Sequence, residues 1–463
     1  MHPSRFMRSA VSNAKPISAR IPLLYPKPLV VLAFESSADD SSASIVSCPS
    51  PASSLDPSIG TNHRLLSIST LSQHSLNSIY GGIHPLEAQV AHSTNIPRAL
   101  TLCLQDAKQT HGLTWDDIDA VAYTRGPGMR GCLSVGEGAA RGLAAGLGKK
   151  LVGIHHMQSH ALTPLLTSGS SSPKFPFLIL LLSGGHTQLV LAEGLFKFKI
   201  LLDTLDSKIG QVIFFFPAAI KLYADSTTSQ ATYLKNPLVS SLCPPPPSKP
   251  PPPSSNTTPR SPLFAPYDTH PLPPNLLPIP LTTGKGKNIL AWSFAGMLAS
   301  FQTAIEQAKT KHCRREWAEP DRRAFAHLIQ SALTTHLLTK LSQRIALLPS
   351  NVREQLGGIV ISGGVASNAY IRSQLHEFVK RENGPFPAPN APETKKIFYP
   401  PLHLCTDNAA MIAHTALIRL QTGLKSDPDN LKLRAKWSLE DMYDDVPEEA
   451  YSFKGAREIN MGL

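Results

Sequence analysis

Short apolar runs that end in polar turns recur along both halves of this 463-residue chain. They occupy residues 29–34, 177–182 and 359–361, and helical patterns lie between them. Runs of this length, bounded by turn residues, predict buried strands. Because strands alternate with helices in each half, the sequence predicts an α/β protein with mixed sheets.

The turns that follow these strands predict an anion site. Glycine lets backbone amides approach phosphate oxygens with no side chain in between. A single Gly-Gly after a strand is usually an ordinary tight turn, but three polar turns across two similar halves predict a nucleotide cleft between the halves. The turns are the acidic, hydroxyl-rich stretch 35–42, the Ser183-Gly184-Gly185 turn and the turn with Gly363 and Gly364.

A histidine pair at helical spacing suggests a metal site. His156 and His160 are four residues apart, so on a helix their imidazoles share one face. Asp407, in a distant Cys-Thr-Asp-Asn turn, is the carboxylate that would complete the set. Such a pair alone is more often merely solvated or buried with hydrogen-bond partners. Two histidines and one carboxylate leave coordination positions open, which suits a working Zn²⁺ or Fe²⁺ site.

The first 34 residues contain no acidic side chain but five cations among serines and alanines. This composition is typical of a mitochondrial presequence, which we expect at residues 1–28, with a matrix location. A disordered basic tail is the alternative. Without those five cations the formal charge falls from +11 to +6, which is compatible with a polyanionic partner.

Cysteine content and hydropathy narrow the class of protein. The six cysteines are scattered and form no Cys-x-x-Cys, so neither a disulfide framework nor a zinc ribbon is expected. The longest apolar runs are much shorter than the roughly 18 residues of a membrane helix, so no membrane association is expected. The chain is long enough for two or three domains, each with its own core.

A proline-rich stretch interrupts the second half. Sixteen of the 37 residues from Pro244 to Pro280 are proline, a density that excludes a helix or a central strand. We expect residues 211–287 to be a disordered or mis-spliced insert. The remaining boundaries are a first half at 29–172, a second half at 173–397 and a return to the first half at 398–463.

Seven ordered motifs resemble the universal tRNA threonylcarbamoyladenosine synthesis family, which comprises bacterial TsaD and its mitochondrial and archaeal relatives. They are ESSADDSSA, YGGIHP, TRGPGMRGCLSVG, GIHHMQSHAL, LLLSGGHTQLVL, ISGGVASNAYIRSQL and LCTDNAAMIA. The resemblance implies the fold of actin, Hsp70 and sugar kinases (ASKHA), in which two RNase H-like halves enclose a nucleotide cleft.

The resemblance also implies an activity and its site. The family transfers a threonylcarbamoyl group from threonylcarbamoyl-AMP to the adenosine 3′ of the anticodon, in tRNAs that read codons starting with A. Mitochondrial relatives imply a homodimer. The family's positions fall on the metal ligands His156, His160 and Asp407, on the substrate loop Leu181, Leu182, Ser183, Gly184 and Gly185, on the adenylate-side Asn368, and on the acidic pair Asp39 and Asp40.

The chemistry of these residues suits that transfer. An exocyclic amine of adenosine is a poor nucleophile, so the carbonyl must be polarised and both partners held in line. We interpret Asp39 or Asp40 as the proton acceptor or as an organiser of the amine, with a solvated turn as the alternative. Six cations between Lys309 and Arg323 are a candidate tRNA contact, or simply a solvated helix face.

The chain departs from the family at two places. Ala38 stands where the family has cysteine. The family's Gly-Glu-Ala-Phe-Asp-Lys segment and its Pro-Gly-Gly-Pro turn should follow Gly210, and neither is present. A catalytically impaired dimeric scaffold therefore remains an alternative function.

Two further alternatives remain open. An ASKHA-type ATPase or kinase shares the cleft, although such enzymes bind Mg²⁺ through carboxylates and need no histidine pair. A metalloprotease is disfavoured, because Met157 and Gln158 offer no general base between the two histidines.

Overall fold

The computed structural model describes residues 28–49, 59–80, 82–213, 279–311, 319–380 and 397–462, except for the side chains of residues 78, 170, 305–311 and 319–325. Within the described residues, no helix is both long and apolar enough to span a bilayer. The expected presequence, most of the proline-rich stretch and the side chains of the cationic run from Lys309 to Arg323 lie outside the described residues.

Two five-stranded sheets have the same topology. In each, the first strand pairs antiparallel with the second, the second pairs antiparallel with the third, and the fourth and fifth strands run parallel to the first. The orders are β3-β2-β1-β4-β5 and β10-β9-β6-β7-β8, so the second sheet repeats the first. This duplicated arrangement is the ASKHA architecture predicted from the sequence.

The strands of the first sheet are β1 (Leu29–Glu35), β2 (Asp40–Cys48), β3 (Arg64–Ser72), β4 (Ala120–Gly126) and β5 (Lys150–His155). Those of the second sheet are β6 (Phe177–Leu182), β7 (Thr187–Ala192), β8 (Phe198–Leu202), β9 (Ile359–Ser362) and β10 (Ile397–Phe398).

The helices lie between and around these strands. They span His74–Tyr80, Pro85–His111, Arg130–Leu147, His156–Ser168, Ala295–Lys311, Glu319–Ala346, Ser350–Gln355, Ala369–Lys380, Leu402–Cys405, Ala409–Gln421 and Ala456–Met461.

The hairpin of β2 and β3 lacks the continuous apolar run that marks β1 in the sequence. These strands are rich in serine, so they look polar in the sequence although several of the hydroxyl groups are buried in the structure. Here they are satisfied across the strands: Ser42 Oγ lies 2.8 Å from Thr70 Oγ1, and Ser44 Oγ donates to the Ser67 carbonyl at 2.7 Å. A buried polar group costs little when it has such a partner.

One hydrophobic core joins the two halves near the histidine pair. Val31, Val152 and Met157 of the first half pack in the same core as Ile179 of β6. The late helix Ala409–Gln421 is buried along its whole length and contacts β1, β2 and β4. The helix His156–Ser168 contacts β5, β6 and β9, so it lies at the junction of the two sheets.

The ends of the expected insert belong to the second half. Val212 and Ile213 continue a helical turn and are buried in the second core. At the other end, Lys340 Nζ donates to the Leu281 carbonyl at 2.8 Å, and residues 284–288 form a 3₁₀ turn. The boundaries 211 and 287 were therefore placed too far into ordered structure, because neither end has a strong periodic pattern.

Candidate metal centre and substrate cleft

Three ligand-type side chains from distant parts of the chain meet at the junction of the two sheets. His160 Nε2 lies 3.0 Å from Asp407 Oδ1, and His156 Nε2 lies 3.5 Å from the same oxygen. The two imidazole centroids are 4.7 Å apart. The helix that carries both histidines begins directly at the end of β5, and Asp407 precedes Asn408, whose side chain caps the helix Ala409–Gln421.

These three residues fit a single metal ion. Each residue has one nitrogen or oxygen atom that lies within 4.8 Å of the corresponding atoms of the other two. Small side-chain adjustments would bring these three atoms close enough for each to bond one ion at about 2 Å. Both histidines are buried, while the Asp407 side chain is 21% exposed. The donor set is therefore sheltered on one side and open on the other.

The second nitrogen of each histidine has its own partner. His156 Nδ1 lies 3.0 Å from Glu35 Oε2 and 3.4 Å from Ser37 Oγ. His160 Nδ1 lies 3.4 Å from Ser362 Oγ. Such outer partners fix the ring orientation and the tautomer, leaving the other nitrogen directed at a metal. Glu35 closes β1 of the first sheet and Ser362 closes β9 of the second, so both sheets hold the pair.

The charges of the site are strongly coupled. Burial alone would lower the pKa of His156, but Glu35 and Asp407 raise it to about 10. Burial would likewise raise the pKa of Asp407, but His156 and His160 hold it well below its usual value. With no ion bound, the cationic imidazole therefore neutralises the carboxylates, and a metal cation would have to displace that proton.

Asp39 and Asp40 are brought beside this cluster but differ in environment. Asp39 Oδ2 accepts from Asn77 Nδ2 at 2.6 Å, and burial and the charge of Asp407 raise its pKa to about 6. Asp40 is the first residue of β2 and accepts from the Ser72 hydroxyl. Burial and Asp39 raise the pKa of Asp40 well above its usual value. At neutral pH Asp39, with its pKa raised to about 6, is thus mostly ionised.

The acidic turn is fixed by the glycine-rich helix Arg130–Leu147. Ser36 Oγ donates to the Cys132 carbonyl at 2.9 Å and accepts from the Gly136 amide at 3.2 Å. A Cβ on Gly136 would lie 2.5 Å from Ser36 Oγ. The small residue at this position allows the close approach that positions the turn before Asp39.

The two glycine turns of the second sheet lie against each other and against Gly210. A Cβ on Gly363, whose φ is +100°, would lie 2.4 Å from the Leu182 carbonyl. A Cβ on Gly210 would lie 2.5 Å from the Ser183 carbonyl. Ser183 Oγ accepts from the Gly185 and His186 amides at 3.2 and 2.9 Å, which shapes the turn. All three predicted turns therefore converge on the histidine pair.

Comparison with known proteins identifies the family. A family model described as "TsaD: tRNA N6-adenosine threonylcarbamoyltransferase" matches residues 64–250 and 274–414. A tRNA N6-adenosine threonylcarbamoyltransferase of Herminiimonas arsenicoxydans is 31% identical over 418 residues, covering 89% of this chain and 98% of that protein. The tRNA N6-adenosine threonylcarbamoyltransferase of Polaromonas sp. is 32% identical over 413 residues, which cover 89% of this chain and 98% of that protein. This chain belongs to the TsaD family.

Membership makes this chain a tRNA-modifying transferase with the ASKHA fold. Among solved structures, the Ppx/GppA family member of Aquifex aeolicus covers 68% of this chain and 90% of its own at 10% identity, with a TM-score of 0.27. Overlap at that level supports no conclusion about the activity.

Several residues that the TsaD resemblance placed at the substrate have their side chains elsewhere. Leu181 and Leu182 point into the two opposite cores, so only their backbone can reach a ligand. Asn368 is 3% exposed; its Oδ1 accepts from the Ile371 amide at 3.0 Å and its Nδ2 donates to Gln330 at 3.1 Å. A Cβ on Gly364 or Gly185 would meet nothing within 4 Å, so these two positions are open to a ligand.

Sequence reasoning missed three members of the TsaD site. Glu35 and Ser362 are the partners of the two histidines, and His186 lies close enough for His156 and His160 to affect its titration. Burial first, and then the electrostatic effect of the two neighbouring histidines, lowers the pKa of His186 to about 3. The available signal was position: Glu35 and Ser362 are the last residues of their strands, where ligands collect in open α/β sheets.

Proposed function

We propose that this chain transfers the threonylcarbamoyl group from threonylcarbamoyl-AMP to the adenosine 3′ of the anticodon in tRNAs that read codons starting with A. The proposal deepens the family assignment by naming the donor, the metal and the tRNA set. The observation that carries it is the meeting of His156, His160 and Asp407 beside the ionised Asp39.

The metal proposed for this site is one Zn²⁺ or Fe²⁺ per subunit, held by His156, His160 and Asp407. Imidazole nitrogens suit these ions, and the donor set leaves positions for substrate oxygens. When bound, such an ion polarises a carbonyl as a Lewis acid. Glu35 and Ser362 hold the two imidazoles in orientation, whatever the ion.

Asp39 is the proton acceptor in this proposal. The adenosine amine attacks the carbonyl carbon, the bond from that carbon to the AMP phosphate oxygen breaks, and the amine proton moves to Asp39. With its pKa raised to about 6, Asp39 is ionised at pH 7 yet still basic enough to take the proton. Asp40 supports the turn by accepting a hydrogen bond from the Ser72 hydroxyl.

The leaving phosphate is assigned to the glycine turns. Backbone amides at Gly185 and Gly364 have open space around the position of a Cβ, which permits close approach of an anion. Gly184 and Gly363 belong to the same two turns, and Gly363 keeps them packed together through its contact with Leu182.

A direct assay tests the proposal. Purified protein, threonylcarbamoyl-AMP and a transcript of an ANN-decoding tRNA are incubated, and the modified nucleoside is measured by mass spectrometry. His156→Ala should lose both the bound metal and the product. His403→Ala, an exposed histidine four residues before Asp407, should keep both. Product formation by His156→Ala at the wild-type rate would contradict the assigned site.

The same assay separates the transferase from a catalytically impaired scaffold. In the family, the resemblance assigns the segment after Gly210 to contact with the adenosine. This chain departs from the family at that segment. A chain that binds metal and tRNA but forms no product would have the scaffold function instead.

A homodimer is supported by an exposed apolar patch near the acidic turn. Ile79 is 77%, Leu86 62% and Val90 57% exposed. Leu86 and Val90 share one helix face, and Tyr80 stacks on His84 at 4.8 Å, which joins the two helix ends. Exposed apolar patches of this kind mark interaction sites.

Light scattering after gel filtration tests the dimer. Leu86→Glu with Val90→Glu should give monomers, because a buried unpaired charge would oppose association. Leu205→Glu, at an exposed leucine of the second half, is the matched control and should leave the mass unchanged. A dimer mass for the double variant would place the interface elsewhere.

The mitochondrial matrix is the proposed location. Its support is the acid-free N-terminal stretch with five cations. Fusion of residues 1–34 to a fluorescent protein should direct it to mitochondria, and the same fusion with Arg5, Arg8 and Arg20 changed to glutamate should not. Cytosolic fluorescence of the unaltered fusion would contradict this location.

A further inference from the structure

The loop that connects β4 to the helix Arg130–Leu147 touches the acidic turn. The Met129 amide donates to the Ser37 carbonyl at 2.9 Å. A Cβ on Gly128 would lie 2.8 Å from the Ser37 Cβ. Ser37 is two residues before Asp39, and Arg130, the first residue of the helix, directly follows this loop.

A late segment of the chain is attached to the same loop. The Gly128 amide donates to the Ala435 carbonyl at 3.1 Å, and the Arg434 amide donates to the Arg125 carbonyl at 3.0 Å. Arg125 Nε donates to the Lys432 carbonyl at 2.8 Å. Residues 432–436 are therefore fixed by backbone contacts beside Arg130.

The cations of this region fall into two groups. Three serve the fold: Arg125 pairs with Asp445, Arg434 pairs with Asp444, and Arg141 pairs with Glu137 at 3.0 Å. The other three are exposed and, within the part of the chain that the structure describes, form no ion pair or side-chain hydrogen bond. They are Arg130, Lys432 and Lys436.

A surface pocket separates Arg130 from Lys432. Its walls also include Ser134 and Arg141, and two carboxylates, Glu137 and Asp429. Glu137 is neutralised by Arg141, which also donates to the Asp429 and Leu431 carbonyls. The pocket thus has a net positive charge, with Asp429 as its one carboxylate that has no ion pair among the described residues.

We propose that Arg130, Lys432 and Lys436 form a docking surface for tRNA phosphates at the rim of the cleft. The inference rests on tRNA as the family's substrate. Exposed cations that have no acidic partner in the protein are available to the phosphates of a polyanion. Arg130, Lys432 and Lys436 are such cations beside the acidic turn, and a phosphate contact positions a nucleic acid without reading its sequence.

Binding of an ANN-decoding tRNA, measured by fluorescence anisotropy at several salt concentrations, tests the surface. The variant Arg130→Glu/Lys432→Glu/Lys436→Glu should bind at least tenfold more weakly. Its dependence of log K on log salt should be shallower by about 2 to 3, because each lost phosphate contact removes roughly 0.7 to 0.9 from the slope. Asp429→Asn should change affinity in the opposite direction and bind more tightly.

Lys432→Glu alone should also bind tRNA more weakly than the wild type, and Lys108→Glu is its matched control. Lys108 is exposed near the end of the helix Pro85–His111, about 35 Å along the helix from the Pro85 carbonyl, which contacts Cys132. The control should bind tRNA as the wild type does. Thermal unfolding and metal content should be unchanged in all variants, which excludes misfolding as the cause.

Three results would overturn the surface. Equal tRNA affinities for the triple variant and the wild type would remove it and leave the transferase assignment intact. A wild-type protein that binds no tRNA would overturn both. A Lys108→Glu variant as weak as Lys432→Glu would show only a diffuse charge effect, which also contradicts the proposal.

Discussion

Glu35 Oε2 lies 3.0 Å from His156 Nδ1, so the last residue of the first strand holds a histidine that is 121 positions away. The same carboxylate accepts from Thr124 Oγ1 at 2.6 Å and from the Ser37 amide at 2.6 Å. Glu35 therefore ties β1, β4 and the metal-facing helix into one rigid unit, and the site depends on a residue that would never contact the metal.

Glu35→Gln should weaken metal binding by about 10- to 100-fold, because a neutral amide orients His156 less firmly and lowers its basicity. The affinity is measured by competition with a chelator of known strength. Glu377→Gln, an exposed position of the second half, serves as the control. An unchanged affinity in Glu35→Gln would mean that the carboxylate does not set the ligand geometry.

The two aspartates of the acidic turn should respond differently to the same change. Asp39→Asn removes the proton acceptor and should lower the transfer rate by at least 100-fold. Asp40→Asn keeps an oxygen that can accept the hydrogen bond from the Ser72 hydroxyl and removes no proton acceptor, so it should keep the rate within about tenfold. Single-turnover rates with saturating tRNA measure both. Equal losses would mean that Asp39 is not the base.

The rate should also fall with acid. A base must be ionised to act, so activity is full above the pKa of Asp39 and is lost as pH falls through it. That pKa is raised to about 6 by burial and Asp407 in the metal-free site, and the charge of a bound metal would move it lower. The rate measured from pH 5 to 8 should therefore decline only at or below about pH 6, and Asp39→Asn should abolish that decline.

A second buried imidazole pair, His63 and His414, should make the fold sensitive to acid. His63 Nδ1 lies 2.8 Å from His414 Nδ1, and burial lowers the pKa of His63 to about 4. The unfolded chain takes up a proton at about pH 6.5 and the folded chain does not, so stability is full above 6.5 and falls toward pH 4. The loss due to His63 is on the order of 3 kcal/mol.

Urea unfolding between pH 7 and pH 4 measures this effect. His63→Gln should reduce the pH slope of the free energy of unfolding by up to roughly 1.4 kcal/mol per pH unit, the contribution of one proton. His111→Gln, an exposed histidine, should keep the wild-type slope. An identical slope in His63→Gln and the wild type would show that the pair does not remain neutral.

The buried pair of Arg419 and Asp427 should be the costliest ion pair to break. Their two contacts are 2.7 and 3.0 Å, and both side chains are almost fully buried. Asp427→Asn leaves the guanidinium unpaired and should cost about 3 to 5 kcal/mol of unfolding free energy. Asp444→Asn, which breaks the exposed pair with Arg434, should cost less than about 1 kcal/mol.

Asp427→Asn should also loosen the metal site. The Gly153 amide donates to Asp427 at 2.8 Å, and its carbonyl accepts from Arg419 at 2.7 Å. Gly153 lies in β5, three residues before His156, so the pair positions the start of the histidine helix. In Asp427→Asn, metal affinity should fall together with stability. In Asp444→Asn, metal affinity should stay unchanged and stability should change little. A stable variant with wild-type affinity would contradict this positioning role.

Local patterns predicted much of the fold. The apolar runs predicted β1, β6 and β9. The hairpin of β2 and β3 could not be predicted, because its serines become compatible with burial only when Thr70 and Ser67 accept or share their hydrogen bonds. Whether a buried hydroxyl group has a hydrogen-bond partner depends on how the strands pair, and the hydrophobic periodicity of the sequence does not show this.

The sequence by itself determined the ligand types, since the four-residue spacing of His156 and His160 places both rings on one helix face in any fold that keeps the helix. Only the tertiary structure decided that Asp407 comes within 3.0 Å of His160, that Glu35 and Ser362 hold the rings, and that burial raises the pKa of Asp39 to about 6. Distances and burial between residues that are hundreds of positions apart follow from packing the two sheets together, and a pKa follows from that burial.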